Sequence, residues 1–268
     1  MPQHTDQLNR TIELPANPQR IVSLVPSQTE LLHYLGLGDR VVGITKFCIH
    51  PEEWYRSKPR VGGTKKYHFD RIEALQPDLI IGNKEENEQE QIEQLMERYP
   101  VWMSDIFDLP DALNMIEAIG RLCSREEKAA ELRSEIEHRF AQLQPLAQPL
   151  RTAYFIWRKP WMLAGGNTFI NTMLQRMGLQ NCFADQESRY PEVSEEALAA
   201  ANPQVLLLSS EPYPFKEQHI AELRAMCPTA EIRLVDGELF SWYGNRLLHT
   251  ASYLSALAQD LSTAIASR

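Results

Sequence analysis

The sequence predicts an α/β fold of two similar lobes with parallel sheets, joined by a long backbone helix. Three observations carry that prediction. Short β-branched or leucine-rich runs alternate with amphipathic segments over most of the chain, the pattern of a parallel sheet. A continuous helical pattern interrupts the alternation from about Leu109 to Gln144. The segment "FDRIEALQPDLIIG" (69–82) also has a degenerate copy, "SEEALAAANPQVLLLS" (194–209), at a constant offset of 126 residues (196 − 70), which pairs Asp70 with Glu196 and Pro77 with Pro203.

The elements follow in order. "IVSLV" (21–25) is an apolar run stopped by Pro26 and reads as a buried strand. In "PSQTELLHYLG", Ser27 with Glu30 forms a capping box, Leu31, Leu32 and Leu35 make the apolar stripe, and Gly36 or Gly38 ends the helix. The strand "RVVGIT" leads into a long loop, "KFCIHPEEWYRSKPRVGGTKKYH". The first copy of the repeat, a polar helix "EENEQEQIEQLMERY" and the strand "PVWMSD" complete the first half. In the central helical stretch, Ser124 with Glu127 repeats the capping signal, so it divides into two helices or breaks near Cys123, and Pro145 and Pro149 stop it. The second half runs strand "TAYFIW", helix "NTFINTMLQRMGLQ", strand "PQVLLLS", helix "FKEQHIAELRAM", strand "EIRLVD" and a final helix from about Asn245.

Two more internal matches keep the same order: "LLHYLGL" with "MLQRMGL", and "QIEQLMERYPVW" with "HIAELRAMCPTA". A duplication therefore organises the chain as a lobe over 1–108, a connecting helical segment over 109–148 and a second lobe over 149–268. Parallel sheets bind ligands beyond the carboxyl ends of their strands, and two such lobes predict a cleft between them.

Composition narrows the function. With 27 basic against 36 acidic residues the net charge is −9, which argues against a nucleic-acid partner. No apolar run reaches the ~20 residues of a membrane span. The first twenty residues contain no apolar core of a secretory leader, so the chain is expected to be cytoplasmic if Met1 is its native start, and periplasmic or lipid-anchored outside the cytoplasm if a leader was removed. Cys48, Cys123, Cys182 and Cys227 are scattered with no metal-ligand spacing and read as free thiols, and no metal site is expected.

Catalytic patterns fail on inspection. Gly36, Gly38 and Gly43 follow a helix rather than a strand, "GGTKK" lacks the order of a phosphate loop, and Ser27 has no GxSxG around it. Cys48 and His50 alternate in "FCIHP" and could share one face, which leaves open an enzyme acting on a chelate or corrinoid. The strand-end loops are more informative. They hold Phe47, Tyr67, Trp157, Trp161, Tyr190, Phe240, Trp242 and Tyr243, interleaved with Lys46, Lys65, Lys66, Arg158 and Arg246. Aromatic area beside positive charge suits a large, partly planar ligand that carries negative groups. Asp70 and Glu196 open equivalent helices, where a carboxylate favours the positive end of the helix dipole. Their equivalence also suits a pseudo-symmetric partner with two basic patches.

The combination "RIVSLVPSQTELLHYLGLGDRVVGIT", "FDRIEALQPDLII" and "VSEEALAAANPQVLLL" resembles the periplasmic substrate-binding proteins of iron-siderophore and vitamin B12 ABC importers, the helical-backbone metal receptor superfamily. The resemblance runs from about Arg20 to the C-terminus. It implies a non-catalytic receptor, a monomer with no covalent cofactor, that binds a corrinoid or iron chelate and delivers it to an ABC permease dimer. It implies that Asp70 and Glu196 dock on the permease, with Asp70 one methylene shorter than the family's usual glutamate. It implies ligand contacts at Phe47, Tyr190 and the 240–243 region, beside the loop residues Lys65, Tyr67, Trp157, Arg158, Trp161 and Arg246. Where a B12-binding relative has a tryptophan, this chain has Thr64.

Overall fold

A computed structural model describes residues 2–267. The chain divides into two compact units. One takes the chain up to Ile106, with Pro110–Ile136 and Tyr243–Arg246; the other takes Phe107–Leu109, Glu137–Trp242 and the chain from Leu247 onward.

In chain order the first unit begins with β1 (Gln3–Thr5) and β2 (Thr11–Glu13), an antiparallel ribbon. Then come β3 (Ile21–Ser23), α1 (Pro26–Tyr34), β4 (Val41–Ile44), α2 (Glu52–Ser57), α3 (Phe69–Leu75), β5 (Leu79–Asn83), α4 (Gln89–Met96) and β6 (Val101–Ser104). Helices α5 (Leu109–Leu122) and α6 (Glu126–Ala141) complete the central stretch. The four strands β3 to β6 form a parallel sheet in the order β4-β3-β5-β6. Val22, Ile80, Val101 and Met103 from the sheet pack with Ile72, Ile92 and Leu95 from α3 and α4 in one core cluster.

The second unit contains β7 (Leu150–Trp157), β8 (Met162–Leu163), α7 (Phe169–Arg176), β9 (Leu179–Asn181), α8 (Glu195–Ala201), β10 (Val205–Ser209), α9 (Glu217–Met226), β11 (Glu231–Val235), α10 (Glu238–Ser241) and α11 (Leu247–Ala266). Its parallel strands run β9-β7-β10-β11, the same order as in the first unit. Strand β8 adds to the outer edge of β7 in antiparallel sense, beyond the part of that edge paired by β9.

The duplication holds residue by residue. Helices α3 and α8, and strands β5 and β10, have identical lengths at the offset of 126. Each helix ends on a left-handed residue, Gln76 (φ 43°) or Asn202 (φ 45°), followed by a proline that cannot continue the helix. An arginine at the start of the neighbouring strand donates to the last helical carbonyls: Arg20 Nε to Leu75 O at 2.7 Å, and Arg151 Nη2 to Ala201 O. Asp78 and Gln204 return the bond by accepting from the backbone N–H of Arg20 (2.8 Å) and Arg151 (3.0 Å). The second match holds as well, because Gly36 (φ 76°) and Gly178 (φ 80°) are left-handed residues just beyond α1 and α7.

Three local expectations are corrected. Ser27 is not an N-cap: Pro26 takes the first helical position, where its missing N–H costs nothing, Val25 is the cap residue, and Glu30 pairs with Arg246 instead of closing a capping box. Ser124 does not start α6; it is left-handed (φ 52°) just beyond α5, so the break foreseen near Cys123 is present but made by a helix ending. The "GLQ" after α7 is not helix, because left-handed Gly178 turns the chain into β9.

Candidate functional site

In the first unit, the two loop segments between β4 and α3, on either side of α2, build a depression of about 420 Å3. Phe47 stands at its side, 50% exposed, with the Lys46 ammonium 4.9 Å from the ring centroid. Lys65 and Lys66 are exposed on the opposite loop, and Thr64 and His68 complete the lining.

That loop is held from below. Gly63 N donates to Lys66 O (2.8 Å), and Lys46 N donates to Gly62 O (2.8 Å), which ties the two sides together. Gln91 of α4 accepts from Tyr67 N (2.8 Å), and Asn87 donates to Thr64 O (3.0 Å). Tyr67 itself is buried and donates its hydroxyl to Thr64 O at 2.6 Å. Burial pushes its phenol pKa up, and the fields of Glu86 and Glu88 add to the rise. Tyr67 thus supports the depression from inside. Gly62 sits at φ 126°, and a Cβ there would lie 2.4 Å from Lys66 O, so the tight return of this loop requires glycine.

Cys48, next to Phe47 in the chain, is fully buried. Its sulfur is 3.1 Å from the hydroxyls of both Thr29 and Thr45. Burial pushes the thiol pKa up, which keeps it protonated and unsuited to nucleophilic attack.

In the second unit the strand-end aromatics separate into two groups. Trp157, 39% exposed at the end of β7, meets Tyr213 edge-on at 5.6 Å. Tyr213 also packs on Phe215, and buried Trp161 stacks on Phe215 at 6.4 Å. The Arg158 guanidinium donates twice to Glu222, at 2.8 and 3.2 Å. Tyr190 is half-buried, with its backbone N–H on Ser188 Oγ at 3.2 Å.

The other group is internal. Phe240 is fully buried against Tyr154 and Tyr253. Trp242 is buried and donates its indole N–H to Glu211 Oε1 (2.8 Å), which also accepts from Ser241 Oγ (2.7 Å). Tyr243 is buried within the segment assigned to the first unit. Arg246, in the same segment, forms a two-pronged pair with Glu30, both bonds at 2.9 Å. The structure therefore brings Phe47 and Lys65 together on one open surface and Trp157 with Arg158 near another. It places Tyr67, Trp161, Phe240, Trp242 and Tyr243 in buried positions.

Glu211 escaped the sequence reading, because an acid in "SSEPYP" looks like an ordinary loop residue. Burial pushes its pKa up, while its bonds to Ser241 and Trp242 oppose the shift. A raised folded-state pKa means that the folded protein holds this proton to higher pH than the unfolded chain does. Its contribution to stability therefore falls as pH rises from the ordinary carboxylate range through the raised value. Glu211→Gln keeps an oxygen acceptor for Trp242 and removes the titration. Melting temperatures measured from about pH 4 to pH 8 should fall less for this variant than for the parent chain. Parallel curves would show that Glu211 does not titrate in that window.

Asp70 and Glu196 are both exposed, each in the first turn of its helix. Their surroundings differ. Ser194 caps α8 by accepting from Ala197 N (3.2 Å), while α3 has no side-chain cap. The Glu196 carboxylate has its pKa lowered by its own backbone N–H and by the Ser194 hydroxyl.

Among the described residues, no group of three or more His, Cys, Asp or Glu could hold a metal ion, and no helix is long and apolar enough to cross a membrane.

The family model described as "Periplasmic binding protein" matches residues 21–226. The vitamin B12-binding proteins of Yersinia pestis (strain Pestoides F) and Yersinia pseudotuberculosis (serotype O:1b, strain IP 31758) are 28% identical over 203 residues, covering 74% of this chain and 72% of theirs. Among solved structures, the periplasmic vitamin B12 binding protein BtuF of Vibrio cholerae is similar with a TM-score of 0.80 and 23% identity, covering 92% of this chain and 99% of that one. The apo periplasmic heme-binding protein RhuT of Roseiflexus sp. RS-1 is similar with a TM-score of 0.78 and 23% identity, covering 92% and 98%. At these identities the structures show the shared fold.

Proposed function

This chain belongs to the periplasmic binding protein family, and from that premise we propose that it is a non-catalytic receptor that captures a bulky metal chelate and hands it to an ABC importer. The observation that carries this reading is the depression beside Phe47. It offers an exposed aromatic face, bordered by lysines and held by Asn87 and Gln91, at the carboxyl end of a parallel sheet. Relatives named for vitamin B12 and for heme support a chelate as the cargo. The cargo binds non-covalently, with Phe47 and Lys65 as contacts in the first unit and Trp157 and Tyr190 in the second. Buried Trp161 supports Trp157 through Phe215 and Tyr213, while Phe240, Trp242 and Tyr243 are buried apart from these contacts. The receptor acts outside the cytoplasm as a monomer, and Asp70 and Glu196 are its contacts with the permease.

Titrating the full chain with cyanocobalamin, heme and ferric chelates while following tryptophan fluorescence tests the proposal. Quenching that saturates with at least one of them is expected, because coloured chelates accept energy from nearby indoles. Phe47→Ala should weaken that binding about tenfold, as loss of one aromatic contact of ~1.4 kcal/mol predicts. No quenching by any of these chelates would overturn the receptor assignment.

A further inference from the structure

The charges around Phe47 discriminate among chelates. Resting on the receptor reading above, we propose that the cargo is an anionic chelate, carrying catecholate or carboxylate donors, rather than a neutral amide-bearing corrinoid.

Three lysines, Lys46, Lys65 and Lys66, line the depression, and no Asp or Glu lines it. None of the three has a carboxylate partner among the described residues. Many cations elsewhere in the molecule are paired. Arg10, Arg56, Lys84, Arg98, Arg121, Arg133, Arg158, Arg233 and Arg246 all sit on acids in a chain with a net charge of −9. Where acids are in excess, three uncompensated cations beside one concavity leave a local field with no internal counter-charge. The acids whose field reaches Tyr67 beneath the loop, Glu86 and Glu88, are not part of the lining.

The loop geometry keeps the ammonium groups near one another without pairing them. Lys65 and Lys66 are on the loop pinned by Gln91, Asn87 and the Gly63–Lys66 bond, and Lys46 faces it across the Gly62 bond. Lys46 also lies over the Phe47 ring, so positive charge and aromatic face reach a ligand together. A neutral, amide-rich ligand would leave the three cations partly desolvated and unpaired. A ligand with several anionic donors on flat rings would pair with them while its rings lie on Phe47.

The test compares a trianionic ferric tris-catecholate, a neutral ferric tris-hydroxamate and cyanocobalamin on the full chain. The variants are Lys46→Gln/Lys65→Gln/Lys66→Gln together and Phe47→Ala. All four positions are exposed, and thermal melts confirm that each variant stays folded. The expected result is tightest binding of the tris-catecholate, weakened by the triple substitution on the order of 10- to 100-fold, because each exposed charge pair is worth up to about fivefold. Raising salt from ~0.05 to ~0.5 M should weaken it too, as the field is screened. Tighter binding of cyanocobalamin, or tris-catecholate binding unchanged by the triple substitution, would overturn the anionic class and leave the receptor reading standing. Absence of binding by all three probes and by heme would overturn the receptor reading itself.

Discussion

Reversing both exposed acids, Asp70→Arg with Glu196→Arg, should abolish stimulation of the reconstituted cognate ABC importer by the chelate-loaded protein while leaving chelate affinity unchanged. Both acids are exposed in the first turns of helices with the same length, register and left-handed ending. A pseudo-symmetric partner can therefore address them in equivalent ways. Close interfacial charge pairs carry about 1.5–7 kcal/mol, so replacing attraction by repulsion at two sites should cost at least 100-fold in affinity. The two single reversals should differ. The Glu196 carboxylate is held by Ser194 and by its own backbone N–H, whereas α3 has no side-chain cap beside Asp70. Glu196→Arg is accordingly expected to be the more damaging of the two. Importer ATPase rates against receptor concentration check this, and an unchanged half-saturation in the double variant would reduce both residues to helix-end acids.

Gly62→Ala should lower stability by about 2–4 kcal/mol and remove the Phe47 depression as a binding surface. The backbone at Gly62 is left-handed, and the added carbon would lie 2.4 Å from Lys66 O and 2.9 Å from Tyr67 Cα, neither of which can move without breaking the loop. Gly63→Ala is the control. There the new carbon meets side chains, Phe47 Cε2 at 3.3 Å and Lys46 Cε at 3.5 Å, which can shift, so a loss of less than ~1 kcal/mol is expected. Denaturant unfolding of the two variants separates the cases, and equal stabilities would show that the loop relaxes around either methyl.

Much of the fold was legible because duplication and turn chemistry are local signals. The offset between "FDRIEALQPDLIIG" and its copy located two helices and two strands whose boundaries coincide. Proline after each helix and glycine at positions 36 and 178 marked the ends, since left-handed backbone and a missing N–H act wherever the residue sits. Capping was less legible. Ser27 and Ser124 matched a capping pattern, yet a neighbouring proline and a helix ending claimed those positions. The N-terminal ribbon went unread because strands of three residues carry almost no periodicity.

The candidate site was legible in kind and not in detail. Aromatic and basic residue types in strand-end loops pointed to a ligand surface, but composition cannot tell an exposed ring from a packed one. Phe47 and Trp157 are open to solvent, whereas Phe240 is sealed against Tyr154 and Tyr253, although the three strand-end positions look alike as letters. Pairing is equally non-local. Arg246 meets Glu30 across 216 positions, and Arg158 meets Glu222 across 64, while Lys46, Lys65 and Lys66 meet no acid among the described residues. The chain by itself thus determined the two-fold repeat, its helix endings and the two acids that open the repeated helices, because each depends on residues adjacent in sequence. Which aromatics stay exposed and which cations stay unpaired was decided only by the tertiary structure, since burial and charge compensation depend on partners that folding brings from far along the chain.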